Sequence, residues 1–146
     1  MNLIPINQTA EDNTLFTNDP WYRETIRVTI DFYKKVGVMP PWVCYLATKN
    51  GKLVGTGGFK GKPVNGRVEI AYSTLEPYRN QGIATGICSQ LVSLSLAADP
   101  SVMITARTLR ESNYSVRILK KNNFVLAGTV LDPDDGEVWE WEYKGK

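Results

Sequence analysis

The sequence predicts a mixed α/β domain, with helices packed on one mostly antiparallel sheet of about six or seven strands. Three observations predict it. Two Asn-Gly pairs, at 50–51 and 65–66, separate three strand-like runs between Trp42 and Leu75. Asn-Gly suits a two-residue hairpin because both positions must take positive φ. The pattern then changes period, and Ile83, Ile87, Leu91 and Leu94 fall on one face of a helix. A final pair of strand-like runs, 124–131 and 137–143, flanks the turn sequence Asp132-Pro133-Asp134-Asp135-Gly136.

The elements follow in chain order. Residues 2–7 read as a short strand, which Pro5 places near a sheet edge. Polar residues 8–18 lead to Asp19, a good N-cap, and Pro20, which suits the first helical position. Tyr22, Ile26, Ile30 and Tyr33 carry that helix to about Lys35, and Gly37 stops it. Strands follow over 42–48, 52–59 and 67–75. Gly55, Gly57 and Gly58 weaken the second of these and mark a bulge or a close approach to its backbone. The long helix ends near Asp99-Pro100, a strand covers 102–106, and a short helix covers 115–121. Asn122 and Asn123 can take the left-handed conformation at its end.

At 146 residues the chain, read as 1–146, is a single domain. Lys and Arg number 17 against 15 Asp and Glu, so the net charge is +2. That balance argues against a protein built to hold nucleic acid. The sequence has no His. This removes Ser-His-Asp and Cys-His catalysis, histidine-ligated zinc and the usual imidazole base. Cys44 and Cys88 have neither metal-site spacing nor a disulfide framework and read as free thiols. No metal is expected. No apolar run reaches about 18 residues, and the first residues do not form a secretory signal. No membrane association and a cytoplasmic location are the expectation.

The segment Tyr78-Arg79-Asn80-Gln81-Gly82-Ile83-Ala84-Thr85 joins a strand to the start of the long helix. The first amides of a helix lack internal partners, and the aligned dipole makes that end partly positive. Such an end binds anions. Gly82 leaves the amides uncovered, Ala84 keeps the first turn small, and Arg79 adds a forked donor. The spacing R-x-x-G-x-A therefore describes a diphosphate cradle. A nucleotide P-loop and a three-glycine dinucleotide fingerprint both fit worse.

On this segment the sequence resembles the GCN5-related N-acetyltransferase (GNAT) family, and is most similar to its Rim-type branch, which acetylates protein N-termini. The resemblance runs from about residue 20 to 143. It rests on RVEIAYSTLEPYRNQGIATGICSQL and, later, on ESNYSVRILKKNNF, where Asn123 stands for the family's Gly. It implies a sheet splayed at the cofactor strand and acetyl-CoA as cosubstrate. It also implies that Arg79, Asn80, Gln81, Gly82, Ile83, Ala84 and Thr85 hold the diphosphate. Tyr72, Ser73 and Thr74 would lie along the pantetheine arm. Asn113 would meet the cofactor from the later loop, one residue from the commoner family position, where Ser112 stands.

Acetyl transfer to an amine needs a neutral nucleophile, a donor for the carbonyl oxygen and a proton for the leaving thiolate. At pH 7 a lysine amine costs roughly 4–5 kcal/mol to deprotonate, and an α-amine only about 1 kcal/mol. A chain terminus is thus the easier acceptor. With no His, Glu69 is the first choice of base, on a strand that by resemblance carries a catalytic Glu. The usual family phenol is replaced by Leu119; Tyr114 or Tyr72 can substitute as the acid, or solvent or the ammonium product can protonate the thiolate. The expected activity is N-acetyl transfer by direct attack, with a small-molecule or peptide amine as acceptor and a monomer or homodimer as the assembly. The alternative is a non-catalytic acyl-CoA-binding module or sensor. The acidic face of 137–143 reads as solvated, and Lys34, Lys35, Lys120 and Lys121 as surface charges.

Overall fold

The structure is a computed structural model, and it describes residues 1–111 and 113–145. Its strands are β1 (Asn2–Pro5), β2 (Cys44–Lys49), β3 (Lys52–Phe59), β4 (Arg67–Thr74), β5 (Met103–Thr108), β6 (Phe124–Asp132) and β7 (Gly136–Tyr143). Its helices are α1 (Pro20–Val36), α2 (Ile83–Ala98) and α3 (Tyr114–Lys121). The seven strands form one sheet in the order β1-β2-β3-β4-β5-β7-β6. Every neighbouring pair is antiparallel except β4 and β5.

Local chemistry sets the boundaries. Asp19 Oδ1 accepts from the amides of Trp21 at 2.9 Å and Tyr22 at 3.4 Å, and Pro20 opens α1. Gly37, at φ 83°, ends it. Both Asn-Gly turns take the left-handed conformation at both residues, with φ of 53° and 75° at 50–51 and 52° and 73° at 65–66. Two expected strands each lose two residues at one end. Strand β1 ends at Pro5: Ile6 N still donates to Cys44 O at 2.9 Å, and the Asn7 amide then turns to Asn13 Oδ1. The second strand begins at Cys44 rather than Trp42, because the amides of Trp42 and Val43 turn back to Met39 and Pro41. The polar stretch 8–18 also holds a helical turn at Ala10–Asp12. Asn13 pins it: its Oδ1 accepts from Asn7 N at 2.8 Å, and its Nδ2 donates to the carbonyls of Asn7 and Thr9.

The glycines of β3 explain how α2 seats. A Cβ on Gly57 would overlap the Cγ2 of Ile87, and one on Gly55 would overlap the Ser73 carbonyl. At Gly57 the close approach is that of α2, and at Gly55 it is that of the β4 backbone. The bulge lies in the β2–β3 ladder, between Ala47 and Thr48. Since side chains alternate across a strand, Thr56 and Gly58 face the other side, where α1 packs through Tyr22, Ile26 and Tyr33. Tyr33 ties α1 to β2 and to the residue that follows β1: its hydroxyl donates to Ile6 O and accepts from Cys44 N, both at 2.9 Å. The core lies mainly between β3, β4 and α2, with Phe59, Ile70, Ile87, Leu91 and Leu119 fully buried.

The sheet parts in one place. Strands β4 and β5 pair only at Arg67↔Met103, Val68↔Ile104 and Glu69↔Thr105. Beyond that, β4 runs on to Thr74 against β3 alone, and β5 runs on to Thr108 against β7. Thr105 Oγ1 donates to Val68 O at 3.2 Å and fastens the last rung before the gap.

Substituting Gly57→Ala forces a methyl against Ile87 in a closed core. This should cost about 1–3 kcal/mol of stability, read as a lower urea midpoint. An unchanged midpoint would show that α2 is not held at this distance.

Candidate active site

The gap between β4 and β5 opens toward the start of α2. After β4 the chain makes a helical turn at Glu76–Tyr78, and then Asn80 and Gly82 take positive φ of 63° and 77°. Gly82 is the N-cap, and among the described residues no side chain caps the helix. The first-turn amides are therefore bare. A Cβ on Gly82 would meet nothing within 4 Å, so its φ, rather than crowding, calls for glycine, and the space above it is open. Asn80, Gly82, Ala84 and Thr85 line one side of a cavity of about 260 Å³. The other side is α3, through Tyr114, Arg117 and Lys121. Asn122 Nδ2 donates to Thr85 O at 3.3 Å and to Ile118 O at 3.0 Å, which locks the end of α3 beside the start of α2. Arg79 and Gln81 are exposed and lie outside the lining.

Deeper in the gap, a cavity of about 100 Å³ is lined by Glu69, Tyr72, Ala106, Arg107, Ser115 and Lys60 among others. Glu69 Oε2 pairs with Lys60 Nζ at 2.9 Å, and its Oε1 lies 3.6 Å from Arg107 Nε. Tyr72 reaches the Ser115 carbonyl with its hydroxyl at 3.5 Å. Burial pushes that phenol far above its ordinary range, so it stays neutral. Thr74 Oγ1 and Arg107 Nε are buried and make no hydrogen bond among the described residues. Asn113 Oδ1 caps α3 by accepting from Val116 N at 3.1 Å. Asn113 lines a third cavity, with Arg107 and Asp132. Ser112 lies outside the described residues.

The opposite mouth of the gap is a cleft of about 440 Å³ under α1. Its walls include Thr25, Val28, Thr29 and Phe32 of α1, Thr56 to Phe59 of β3, and Ala71 to Ser73 of β4. Lys60 and Asp134 also border it, and Lys60, Ala71 and Tyr72 belong to both the cleft and the small gap cavity.

A family model described as an acetyltransferase (GNAT) domain matches residues 5–125. The chain belongs to the GNAT acetyltransferase family. No curated protein matches it. Among solved structures it is similar to an aminoglycoside acetyltransferase in complex with coenzyme A, at 22% identity and a TM-score of 0.59. That match covers 70% of this chain and 66% of the other, so the chain spans just under two thirds of that protein's length. A spermidine N-acetyltransferase chimera from Vibrio cholerae matches at 12% identity and a TM-score of 0.70, over 98% of this chain and 95% of the other. RimL, a ribosomal-protein α-N-acetyltransferase in complex with coenzyme A, matches at 15% identity and 0.68, over 96% and 91%. The splayed sheet, open on one edge of β4 beside a bare helix start, is thus the GNAT arrangement. Among the described residues no helix is long and apolar enough to cross a membrane.

Several site features of this GNAT domain were not expected. Arg117, outside the expected site residues, follows Asn113 by one helical turn on the face turned to α2. Lys121, read as a surface charge, lines the cavity at α2. The cleft wall carries a legible signal, since Thr25, Val28 and Phe32 form a second stripe on α1. Trp42 packs edge-on against Phe59 and belongs to the core. The face of β7 read as solvated is not so: the Glu140 and Glu142 side chains are only 16% and 18% exposed. Arg67, reaching across β5, lies 2.8 Å from Glu142 and 3.6 Å from Glu140.

Asp132 closes this polar face. Its Oδ1 accepts from the amides of Asp134 and Asp135, and its Oδ2 meets Arg107 Nη1 at 3.1 Å. The backbone donors first, then the guanidinium, hold its carboxyl below the usual carboxylate range. The unfolded chain therefore binds this proton more readily. The stabilisation is complete above about pH 4 and is lost as pH falls through the lower folded value. Urea unfolding between pH 5 and pH 2 should show that loss, and Asp132→Asn should flatten it. An unaltered slope in the variant would remove Asp132 from the acid response.

Proposed function

We propose that this chain transfers an acetyl group from acetyl-CoA to a primary amine by direct attack. The observation that carries the reading is the end of the β4–β5 ladder at Glu69↔Thr105, which frees the outer edge of β4 up to the bare start of α2. The residues present suit the donor. The uncapped amides at 83–85, with Arg117 and Lys121 facing them, match a diphosphate. The free edge at Tyr72, Ser73 and Thr74 offers backbone groups to the pantetheine amides, which need partners as a peptide's do. The unpartnered Thr74 hydroxyl lies on the same strand. Arg79 and Gln81 flank the cradle as outer donors, Asn80 and Gly82 shape it, and Asn113 holds the start of α3 that forms its far wall.

When bound, acetyl-CoA supplies a thioester, whose C–S bond breaks as the amine forms a C–N bond and whose sulfur leaves as a thiolate that takes up a proton. Glu69 is the candidate acceptor of the amine's proton. Its present partner, Lys60, is half exposed, so an arriving ammonium can replace Lys60 at Oε2. Tyr72 shares the cavity of Glu69 and, being neutral, donates a hydrogen bond toward the reacting centre. Tyr114, half exposed at the α3 wall, is the candidate proton donor to the leaving sulfur. Direct attack fits the thiols as well. Cys44 lines the cleft, but burial pushes its pKa up, and Cys88 is pushed up to about 12. Neither is poised as a thiolate nucleophile.

A non-catalytic acyl-CoA sensor is the second reading. It is favoured by Leu119, fully buried where the family resemblance places a phenol, and by the ion pairs already on Glu69. Thiol release from acetyl-CoA with a panel of amines separates the two. A raised melting temperature with acetyl-CoA, and no thiol with any amine, selects the sensor.

Glu69→Gln should lower turnover by roughly 10²–10⁴-fold with little change in coenzyme A affinity. Equal turnover would take Glu69 out of the mechanism. Arg117→Ala and Lys121→Ala should each weaken coenzyme A binding roughly 3–10-fold and leave pantetheine, which lacks the diphosphate, unaffected. Equal losses for both compounds in calorimetric titrations would place the diphosphate elsewhere.

A further inference from the structure

The cleft under α1 bears on the kind of amine accepted, an inference that rests on the acetyl-transfer reading above. The cleft has about 440 Å³, within the range of small-ligand sites. Its walls are chiefly carbon: Val28 and Phe32 of α1, Phe59, Ala71, and the bare backbone of Gly57 and Gly58. Val28 is 51% exposed, on a helix whose other apolar face is already buried in the core. It is thus an apolar residue left uncovered beside the reaction gap.

Charge in the lining is balanced. Among the described residues only two charged side chains border the cleft, Lys60 and Asp134. Two carboxylates beside the gap are engaged: Glu69 with Lys60 and Arg107, and Asp132 with Arg107 and two backbone amides. A polycation entering here would lose water from several ammonium groups and find, beyond the Glu69 that receives the reacting amine, one further carboxylate, Asp134. Unpaired charges removed from water carry a large penalty. An amine on an apolar body needs one ionic partner and gains burial against Val28 and Phe32.

We propose that the acceptor is a monoamine carried on a compact apolar group, its nitrogen directed past Lys60 to Glu69 and its apolar body against α1. Polyamines and aminoglycosides, the substrates named for two of the similar structures, are then poor acceptors for this chain.

The test compares 2-phenylethylamine with spermidine. Both are unactivated primary alkylamines, so the comparison reads the cleft rather than amine basicity. Thiol release should give a kcat/KM at least tenfold higher for 2-phenylethylamine, the scale of apolar pocket discrimination. Equal or higher kcat/KM for spermidine overturns the proposal. Val28→Glu, at an exposed position that the fold tolerates, should shift the ratio toward spermidine by roughly tenfold; an unmoved ratio places the acceptor outside this cleft. A second readout does not need turnover. NMR titration of the coenzyme A-loaded protein should show 2-phenylethylamine, and not spermidine, moving the Val28 methyl resonances. If those shifts occur while no amine releases thiol, the catalytic reading fails and the cleft assignment stands. If neither amine moves them, the cleft assignment falls.

Discussion

One interruption in a hydrogen-bond ladder governs the rest of this molecule. A sheet normally satisfies its backbone groups by pairing them, and unpaired groups away from water carry a penalty. Here β4 and β5 hold three rungs and then part at Glu69 and Thr105. Each strand keeps its other neighbour, β3 for β4 and β7 for β5, so the sheet stays anchored on both sides of the opening. The free edge of β4 is what an extended, amide-bearing molecule can use in place of a strand. The Gly55 and Gly57 surface that lets α2 sit flat on β3 also fixes where the uncapped start of α2 points.

The opening has two mouths of different chemistry. Toward α2 and α3 it meets bare amides, Arg117 and Lys121, a surface suited to anions. Toward α1 it meets apolar walls and a balanced pair of charges. Between them lies a small polar chamber, where Glu69 and Arg107 face each other and Tyr72 stays neutral. The ion pairs of Arg67 and Arg107 with carboxylates of β4, β7 and the end of β6 hold this half of the sheet together. That network is why Glu140 and Glu142 are drawn in from solvent.

Much of the fold was legible because its signals are local. The Asp19-Pro20 cap, the Gly37 stop and both Asn-Gly turns each follow from the dihedral or hydrogen-bonding limits of one or two residues. All seven strands and three helices could be placed from such signals together with hydrophobic period. The misplaced ends have equally local causes that are harder to see. Asn13 organises a turn through its side chain, and Trp42 and Val43 spend their amides on a tight turn. The diphosphate segment from Arg79 to Thr85 could also be read directly, since a glycine at a strand-to-helix junction has a limited set of physical uses.

By itself the sequence determined the elements, the turns that order them, the absence of histidine chemistry and the bare helix start at Gly82. These depend on neighbours within a few residues or on composition alone. Only the tertiary structure decided that Arg117 and Lys121, more than thirty residues from Gly82, face its amides. It likewise decided that Lys60 and Arg107 share the carboxylate of Glu69, and that the second stripe of α1 walls a cleft beside the gap. Such juxtapositions arise where strands distant in sequence pair and part, and pairing across the sheet leaves no periodicity within a single strand to announce it.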